Sequence, residues 1–197
     1  MDDSDIWSGI EAAGPLLESS TFDPLLVDNV IWAERSAAEY DRRRAFVASY
    51  AWAVPTKQAI RQTCAFVGGR KLLEVCAGTG LWARLLSSAG TSVVATDGAP
   101  ELQADWFTVE FANAEDAVRS HPQCQALLLC WPPFKDACAF RALQSFEGDL
   151  AIYIGDIRFT ADIQFHSLLL RSWELIQGIP LPSWPGIEDG VHLYVRK

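Results

Sequence analysis

Apolar residues along this chain recur with a helical period at first, then gather into short runs once residue 70 is passed. From Pro24 to Ser49 the apolar positions Leu25, Leu26, Ile31, Trp32, Phe46 and Val47 are spaced among charges as on one face of a helix. The stretch YAWAVPT (50–56) breaks that pattern. Pro55 suits a first helical position, so a second helix is predicted over 55–66, running into Gly68-Gly69. Beyond it, KLLEVC (71–76), SVVATD (92–97), WFTVEF (106–111), QALLLC (125–130) and DLAIYIG (149–155) read as strands. Amphipathic stretches at 81–89, 99–105, 114–121, 135–146 and 160–171 read as the helices between and after them. The ending, WELIQGI and VHLYVR joined by PLPSWPGIEDG, reads as a hairpin-like pair of strands.

Near-continuous apolar strands alternating with helices imply a parallel sheet covered on both faces. The pattern predicts an α/β fold, a three-layer α/β/α sandwich around a seven-stranded, mostly parallel sheet with a C-terminal antiparallel strand. The chain is read as a single domain, 1–197, with a helical N-terminal lid (1–66) and an α/β core (67–197). Ligands on such sheets bind outside the carboxyl ends of the strands. The chemistry is therefore expected just after Cys76, Asp97, Phe111, Cys130 and Gly155.

Charge narrows the partners. Lys and Arg number 16 against 25 Asp and Glu, a net charge of −9. Nucleic-acid binders neutralise phosphates with clustered basic residues. The single basic cluster, Arg42-Arg43-Arg44, stands beside Glu34, Glu39 and Asp41 and reads as the solvated face of a helix. No nucleic-acid partner is expected. No apolar run has the length of a membrane span, and MDDSDIWSGI lacks the basic start and apolar middle of a secretory signal, so no membrane association and a cytoplasmic location are expected. Five cysteines without a CxxC pair and three dispersed histidines show no zinc spacing. Neither a metal nor a disulfide framework is expected; the thiols read as small buried hydrophobes.

The first strand leads into EVCAGTGLWA (74–83). Gly78 and Gly80 allow a tight turn and a close backbone approach to a ligand, with a helix N-terminus beyond. The pattern Gly78-Thr79-Gly80-Leu81-Trp82-Ala83 also fits a dinucleotide fingerprint, with Asp97 near the spacing for a ribose hydroxyl. Glu74 argues against that reading, because a nicotinamide-binding strand is usually apolar at this point and a buried carboxylate needs a reason. In FANAED (111–116), Asn113 follows the third strand, where its side-chain carbonyl can face an adenine amino group or simply make a turn.

Together, LLEVCAGTGLWARLL and VVATD resemble the glycine motif and second-strand acid of the class I, Rossmann-like, S-adenosylmethionine (SAM)-dependent methyltransferases. The departure is Cys76, which stands where the first glycine of that motif usually falls. A narrower likeness, carried by YAWAVPT, LLLCWPP, IYIGD, TADIQFH and IPLPSWPGIED, is to a set of small methyltransferase-like proteins sharing those phrases. The resemblance implies SAM as cofactor, with S-adenosylhomocysteine as product. It implies cofactor contacts from Glu74, Cys76, Ala77, Gly78, Gly80, Asp97, Gly98, Asn113, Ala114 and Cys130.

LLLCWPPF (127–134) ends where amino methyltransferases carry Asn or Asp before two prolines and an aromatic. Trp131 has no carbonyl to accept from a target amino group; its indole nitrogen only donates. It is read as a pocket wall, with core packing as the alternative, and Pro132 as a stiffener of the loop. Flat aromatic faces also attract cations. Tyr50 and Trp52, before the second helix, are candidate lid residues over the site, and Trp184 is left open between substrate and a partner subunit. For proton transfer the candidates are Asp156, directly after the fifth strand, and His166, four residues from Asp162 on a helix that Thr160 would cap.

The reading is methyl transfer from SAM to a small-molecule nucleophile, with a nitrogen acceptor preferred over a hydroxyl. The alternatives are a cofactor-binding, non-catalytic regulatory subunit and an NAD-dependent oxidoreductase. The acceptor's identity and the choice between monomer and homodimer stay open.

Overall fold

In a computed structural model that describes residues 3–15, 40–99 and 106–197, the two periods of the sequence become two kinds of layer. The helices are α1 (Asp3–Ala13), α2 (helical residues 40–49), α3 (Lys57–Val67), α4 (Leu81–Ser88), α5 (Ala114–Ser120), α6 (Cys138–Ser145) and α7 (Ile163–Ser172). The strands are β1 (Leu72–Val75), β2 (Val93–Asp97), β3 (Val109–Phe111), β4 (Ala126–Cys130), β5 (Leu150–Gly155), β6 (Trp173–Pro180) and β7 (Gly190–Arg196). The expected helical stretch from Pro24 is seen only at its end; 16–39, like most of the predicted 99–105 helix, lies outside the described residues.

The strands form one seven-stranded sheet in the order β3-β2-β1-β4-β5-β7-β6. The first five are parallel neighbours, and β7 runs antiparallel to both β5 and β6. The predicted sandwich with its antiparallel terminal pair is thus the observed fold. The order reverses between β1 and β4, which opens a crevice at their carboxyl ends.

Local chemistry moves several element ends from their expected places. Thr56, not Pro55, starts α3, because its hydroxyl accepts the Ala59 N–H at 3.0 Å; Pro55 stands just before the cap. Helix α6 begins at Cys138 rather than at 135, since Lys135 takes a left-handed φ of 59° and Asp136 accepts the Cys138 N–H. Asp162, not Thr160, caps α7 through the Phe165 N–H at 2.8 Å. Strand β3 has three residues because Trp106 is drawn away: its backbone N–H donates to Thr79 O and its indole to Ser49 O.

Side chains alternate across the sheet. Leu73, Val75, Leu127 and Leu129 pack on α5, α6 and α7, while Leu72, Leu128, Ile152 and Ile154 pack on the opposite layer. That layer contains α3 and α4, and also Ile6 and Ile10 of α1 and Phe46 of α2. Phe46 is 1% exposed and meets Trp184 edge-on at 5.7 Å. The N-terminal helices are therefore part of the core, and Trp184 is a core residue rather than a surface one. Replacing Phe46 by Ala should cost about 3–5 kcal/mol of folding stability, the usual toll for a large aromatic deleted from a packed interior. Denaturant unfolding checks this; a loss below about 1 kcal/mol would mean that α2 rests on the core without belonging to it.

Candidate functional site

The turn from β1 into α4 is built from three consecutive constraints. Cys76 sits at φ 57°, the left-handed region that glycine usually fills, which costs a non-glycine residue roughly 1–2 kcal/mol. Gly78 follows at φ 55°, with open space where a Cβ would point. Gly80, at φ 74°, has no such space: a Cβ there would stand 2.9 Å from Phe107 Cβ. The two glycines thus serve different ends, one leaving room above the loop and the other closing β3 against it.

Under this loop lies Glu74, paired in register with Ala95 and Leu128 and fully buried. Neither carboxyl oxygen has a hydrogen-bond partner. Burial pushes its pKa up to about 8; the nearby Ala83 amide pulls down without reaching bonding geometry, and Asp97 adds a smaller upward push. Asp97, at the end of β2, accepts the Gly78 N–H at 2.9 Å through one oxygen and the Ala99 N–H at 2.8 Å through the other. It holds the loop in shape through these two bonds. Gly98 follows it, with Asn113 Cα 3.6 Å from where its Cβ would be. Asn113 caps α5, its carbonyl accepting the Asp116 N–H and its amide donating to the Asp116 carboxylate. The turn role weighed for it is the one seen; Ala114 is the buried first residue of α5.

Residues 40–52 form the other wall. The Thr79 hydroxyl donates to the Tyr50 carbonyl, and the Tyr50 ring is stacked between Phe46 at 5.0 Å and Trp106 at 5.7 Å. Between this wall and the loop lies a cleft of about 850 Å³, lined by Trp52, Cys76, Ala77, Gly78 and Cys130 together with residues of α2. Cys76 touches Cys138; that contact and burial hold the Cys76 thiol well above its ordinary pKa, and burial does the same for Cys130. Both are protonated walls at neutral pH, not nucleophiles.

Trp131 ends β4 at φ 46° and stacks on Trp52 with ring centroids 5.1 Å apart. Its indole donates to Asp189 Oδ1 at 2.8 Å. The buried Pro132 accepts the Ala161 N–H, and Lys135 N–H donates to Ala161 O, so the proline loop is laced to the segment after β5. Two residues the sequence reading passed over complete this corner. Arg43, taken for part of a solvated face, lies 5.4 Å over the Trp52 ring and 5.1 Å over Trp131. Asp189, an apparent turn residue in IEDG, is 4% exposed. Burial pushes its pKa up to about 7, against the opposing pull of the Trp131 hydrogen bond and the Arg43 charge.

The two expected proton-transfer residues are committed elsewhere. Asp156 is 1% exposed and accepts from the Arg158 side chain and from the backbone N–H groups of Arg158 and Glu188. Burial raises its pKa, but the hydrogen bonds from Arg158 and Glu188 outweigh that and leave it below the usual value. It is a structural anion of the β6–β7 loop, not a poised base. His166 does not pair with Asp162. Its ring donates to Thr160 O at 3.0 Å and packs edge-on against Tyr153, on the opposite face of the sheet from the cleft.

No protein-family model matches the chain, and no curated protein matches it either. Among solved structures it is similar to Sp1610 of Streptococcus pneumoniae, assigned as a tRNA (m1A22) methyltransferase, at 15% identity. That match covers 72% of this chain and 70% of the other, with a TM-score of 0.52. It is also similar to magnesium protoporphyrin IX methyltransferase from Synechocystis PCC 6803 with bound SAM, at 11% identity, over 85% and 96% of the two chains, again with a TM-score of 0.52. At such identity the likeness shows the class I methyltransferase fold. Among the described residues no cluster of His, Cys, Asp or Glu is placed to hold a metal, and no helix is long and apolar enough to cross a membrane.

Glu74 makes the ligand-free protein sensitive to pH. A carboxyl whose pKa rises on folding contributes its full share of stability below the unfolded value and loses it as pH climbs through the folded one. With values of 4.5 and about 8, the loss spans that window and amounts to up to about 5 kcal/mol. Thermal unfolding of the ligand-free chain should fall in temperature from pH 6 to 8.5, and Glu74→Gln should flatten most of that slope. Asp189, whose pKa is also raised, titrates in the same sense, while the lowered pKa of the half-buried His192 works against them at the acid end. An unchanged slope in the variant would show that Glu74 is not held protonated.

Proposed function

We propose that this chain is a SAM-dependent methyltransferase acting on a small-molecule nucleophile, with nitrogen preferred over oxygen. The observation that carries the reading is Glu74: a buried carboxyl with both oxygens free of partners, directly under a glycine loop that opens on the cleft. Such a group is costly to bury unless a cation or donor completes it. Gly78 leaves space above the loop for a ligand, and Asp97 is fixed beside it by two amides.

The residues present fit the cofactor. Glu74, Cys76, Ala77, Gly78 and Gly80 would hold its methionine end, Asp97 and Gly98 its ribose, and the backbone of Asn113 and Ala114 its adenine edge, the Asn113 side chain being spent on the α5 cap. Cys130 would form the wall beside the sulfonium. When bound, SAM supplies an electrophilic methyl group. The chain's own part is alignment and exclusion of water, since transfer to a good nucleophile needs chiefly a held geometry. Trp52, Tyr50 and Trp131 supply the cover, with Pro132 fixing the loop beneath it. The fold shared with the methyltransferases supports the reading, and the net charge of −9 supports a small molecule over a nucleic acid. A cofactor-binding regulatory subunit is the second reading, favoured by Asp156 and His166 both being engaged away from the cleft.

Calorimetry of the full chain with SAM, S-adenosylhomocysteine and NAD tests the assignment, with Asp97→Ala as control. Both adenosyl ligands should bind and NAD should not. The variant should bind them at least about tenfold more weakly, the worth of one charge-assisted hydrogen bond. Absence of adenosyl binding, or binding of NAD alone, overturns the proposal.

A further inference from the structure

The corner between Arg43 and Asp189 holds two opposite charges that do not satisfy one another. Arg43 Nε and Nη2 are buried without a partner, and these two atoms form the side-on fork that suits a carboxylate. Its guanidinium carbon lies 5.4 Å from the Trp52 ring centroid and 5.1 Å from that of Trp131, so the charge is held at this aromatic pair. Asp189 Oδ1 is taken by the Trp131 indole, while Oδ2 is buried with nothing bonded to it. Asp189 and Arg43 feel one another's charge, yet no ion pair joins them among the described residues. Arg43 lines the cleft with Cys130 and the glycine loop, and Arg43 and Asp189 both contact Trp131.

We propose that Arg43 and Asp189 form the acceptor-binding site, and that the acceptor is a small zwitterion of the amino-acid type. Its carboxylate lies on the Arg43 Nε–Nη2 edge and its amine on Asp189 Oδ2. The inference deepens the methyltransferase reading and rests on it.

The pairing of charges selects this class over its neighbours. A simple carboxylic acid satisfies Arg43 but brings a second anion toward Asp189. A simple amine satisfies Asp189 but brings a cation toward Arg43 and leaves the fork empty. A molecule with both groups on neighbouring carbons completes each orphaned atom, and leaving either unpaired in a buried site is what makes the wrong ligand costly. Proton handling follows from the same contact. The ammonium passes one proton to Asp189 Oδ2, which gives a neutral amine with a free lone pair and a protonated Asp189. A carboxyl with its pKa near 7 suits that exchange at neutral pH. This assigns Asp189 the role that the sequence reading gave to Asp156.

The test uses the full chain saturated with S-adenosylhomocysteine and three matched probes: L-phenylalanine, 3-phenylpropanoate without the amine, and phenethylamine without the carboxylate. Binding is read by calorimetry. L-phenylalanine should bind at least about tenfold more tightly than either relative, one unpaired buried group being worth that much. Arg43→Gln should erase the preference over phenethylamine, and Asp189→Asn the preference over 3-phenylpropanoate. Unfolding and S-adenosylhomocysteine binding of each variant, measured alongside, separate loss of fold from loss of recognition. Equal binding of all three probes, or preferences that survive both substitutions, overturns the site. So does weaker binding of S-adenosylhomocysteine to Arg43→Gln with no weakening toward methylthioadenosine, which would place Arg43 on the cofactor's own carboxylate. Failure of the wild-type chain to bind S-adenosylhomocysteine at all falls on the methyltransferase reading instead.

Discussion

Strand β1 carries a carboxyl group into the middle of a parallel sheet and gives it nothing to bond to. Glu74 has apolar strands on both sides and the face of α4 above it, so the ligand-free chain keeps it neutral by holding its proton. Much else in the site is arranged around that one group. The loop above it must stay open, which Gly78 allows, and must keep its shape, which Asp97 enforces through the Gly78 amide. No hydrogen bond reaches either Glu74 oxygen, although the Ala83 amide stands close enough to be felt. A group left unsatisfied in this way carries a desolvation cost that the rest of the fold must offset.

Backbone strain gathers at the same edge of the sheet. Among the described residues four that are not glycine have left-handed φ angles: Cys76 after β1, Trp131 and Lys135 after β4, and Ala161 after β5. Each such residue costs energy that surrounding contacts must offset. Here the offset is visible as cross-bonding between the loops, Ala161 N–H to Pro132 O and Lys135 N–H to Ala161 O. Trp131 is further fixed by the Ile154 carbonyl, which accepts its backbone N–H, and by Asp189. The result is a rigid rim in which an aromatic plane is held at an angle that a relaxed strand end would not adopt.

The fold was legible because it rests on periodicity. Runs such as ALLLC and LAIYIG are apolar throughout, and only strands buried on both faces need that. The turn after β1 was legible for a similar reason: Gly78 and Gly80 take the positive φ angles that glycines favour, and Asp97 ends β2 beside them. The acceptor side was hidden because it depends on distant pairings. Arg43 is one of three consecutive arginines, and nothing local separates the one that stacks on Trp52 and Trp131 from Arg42, whose guanidinium reaches Ala12 O. Asp189 looks like a hairpin-loop residue until Trp131, 58 positions away, is brought against it. Asp156 misled for the converse reason. Its place after a strand is that of a catalytic acid, but Arg158, two residues on, claims it. Helix ends shifted where side-chain caps outweighed the apolar pattern, as at Thr56 and Asp162.

Helix α2 serves the interior and the cleft from neighbouring positions, and this couples properties that many enzymes keep apart. Phe46 fills the interior beside Trp184, while Arg43, three residues earlier and so a neighbour on the same helix, turns toward the cleft. The loop that would hold the cofactor is tied to the end of that helix through Thr79 and Tyr50. Selectivity and fold are therefore inherited together. A lineage altering its acceptor by reshaping this helix must repack its interior at the same time, whereas one altering only the β6–β7 loop around Asp189 is free of that burden. Diversity among relatives should accordingly gather in that loop and thin out along the helix.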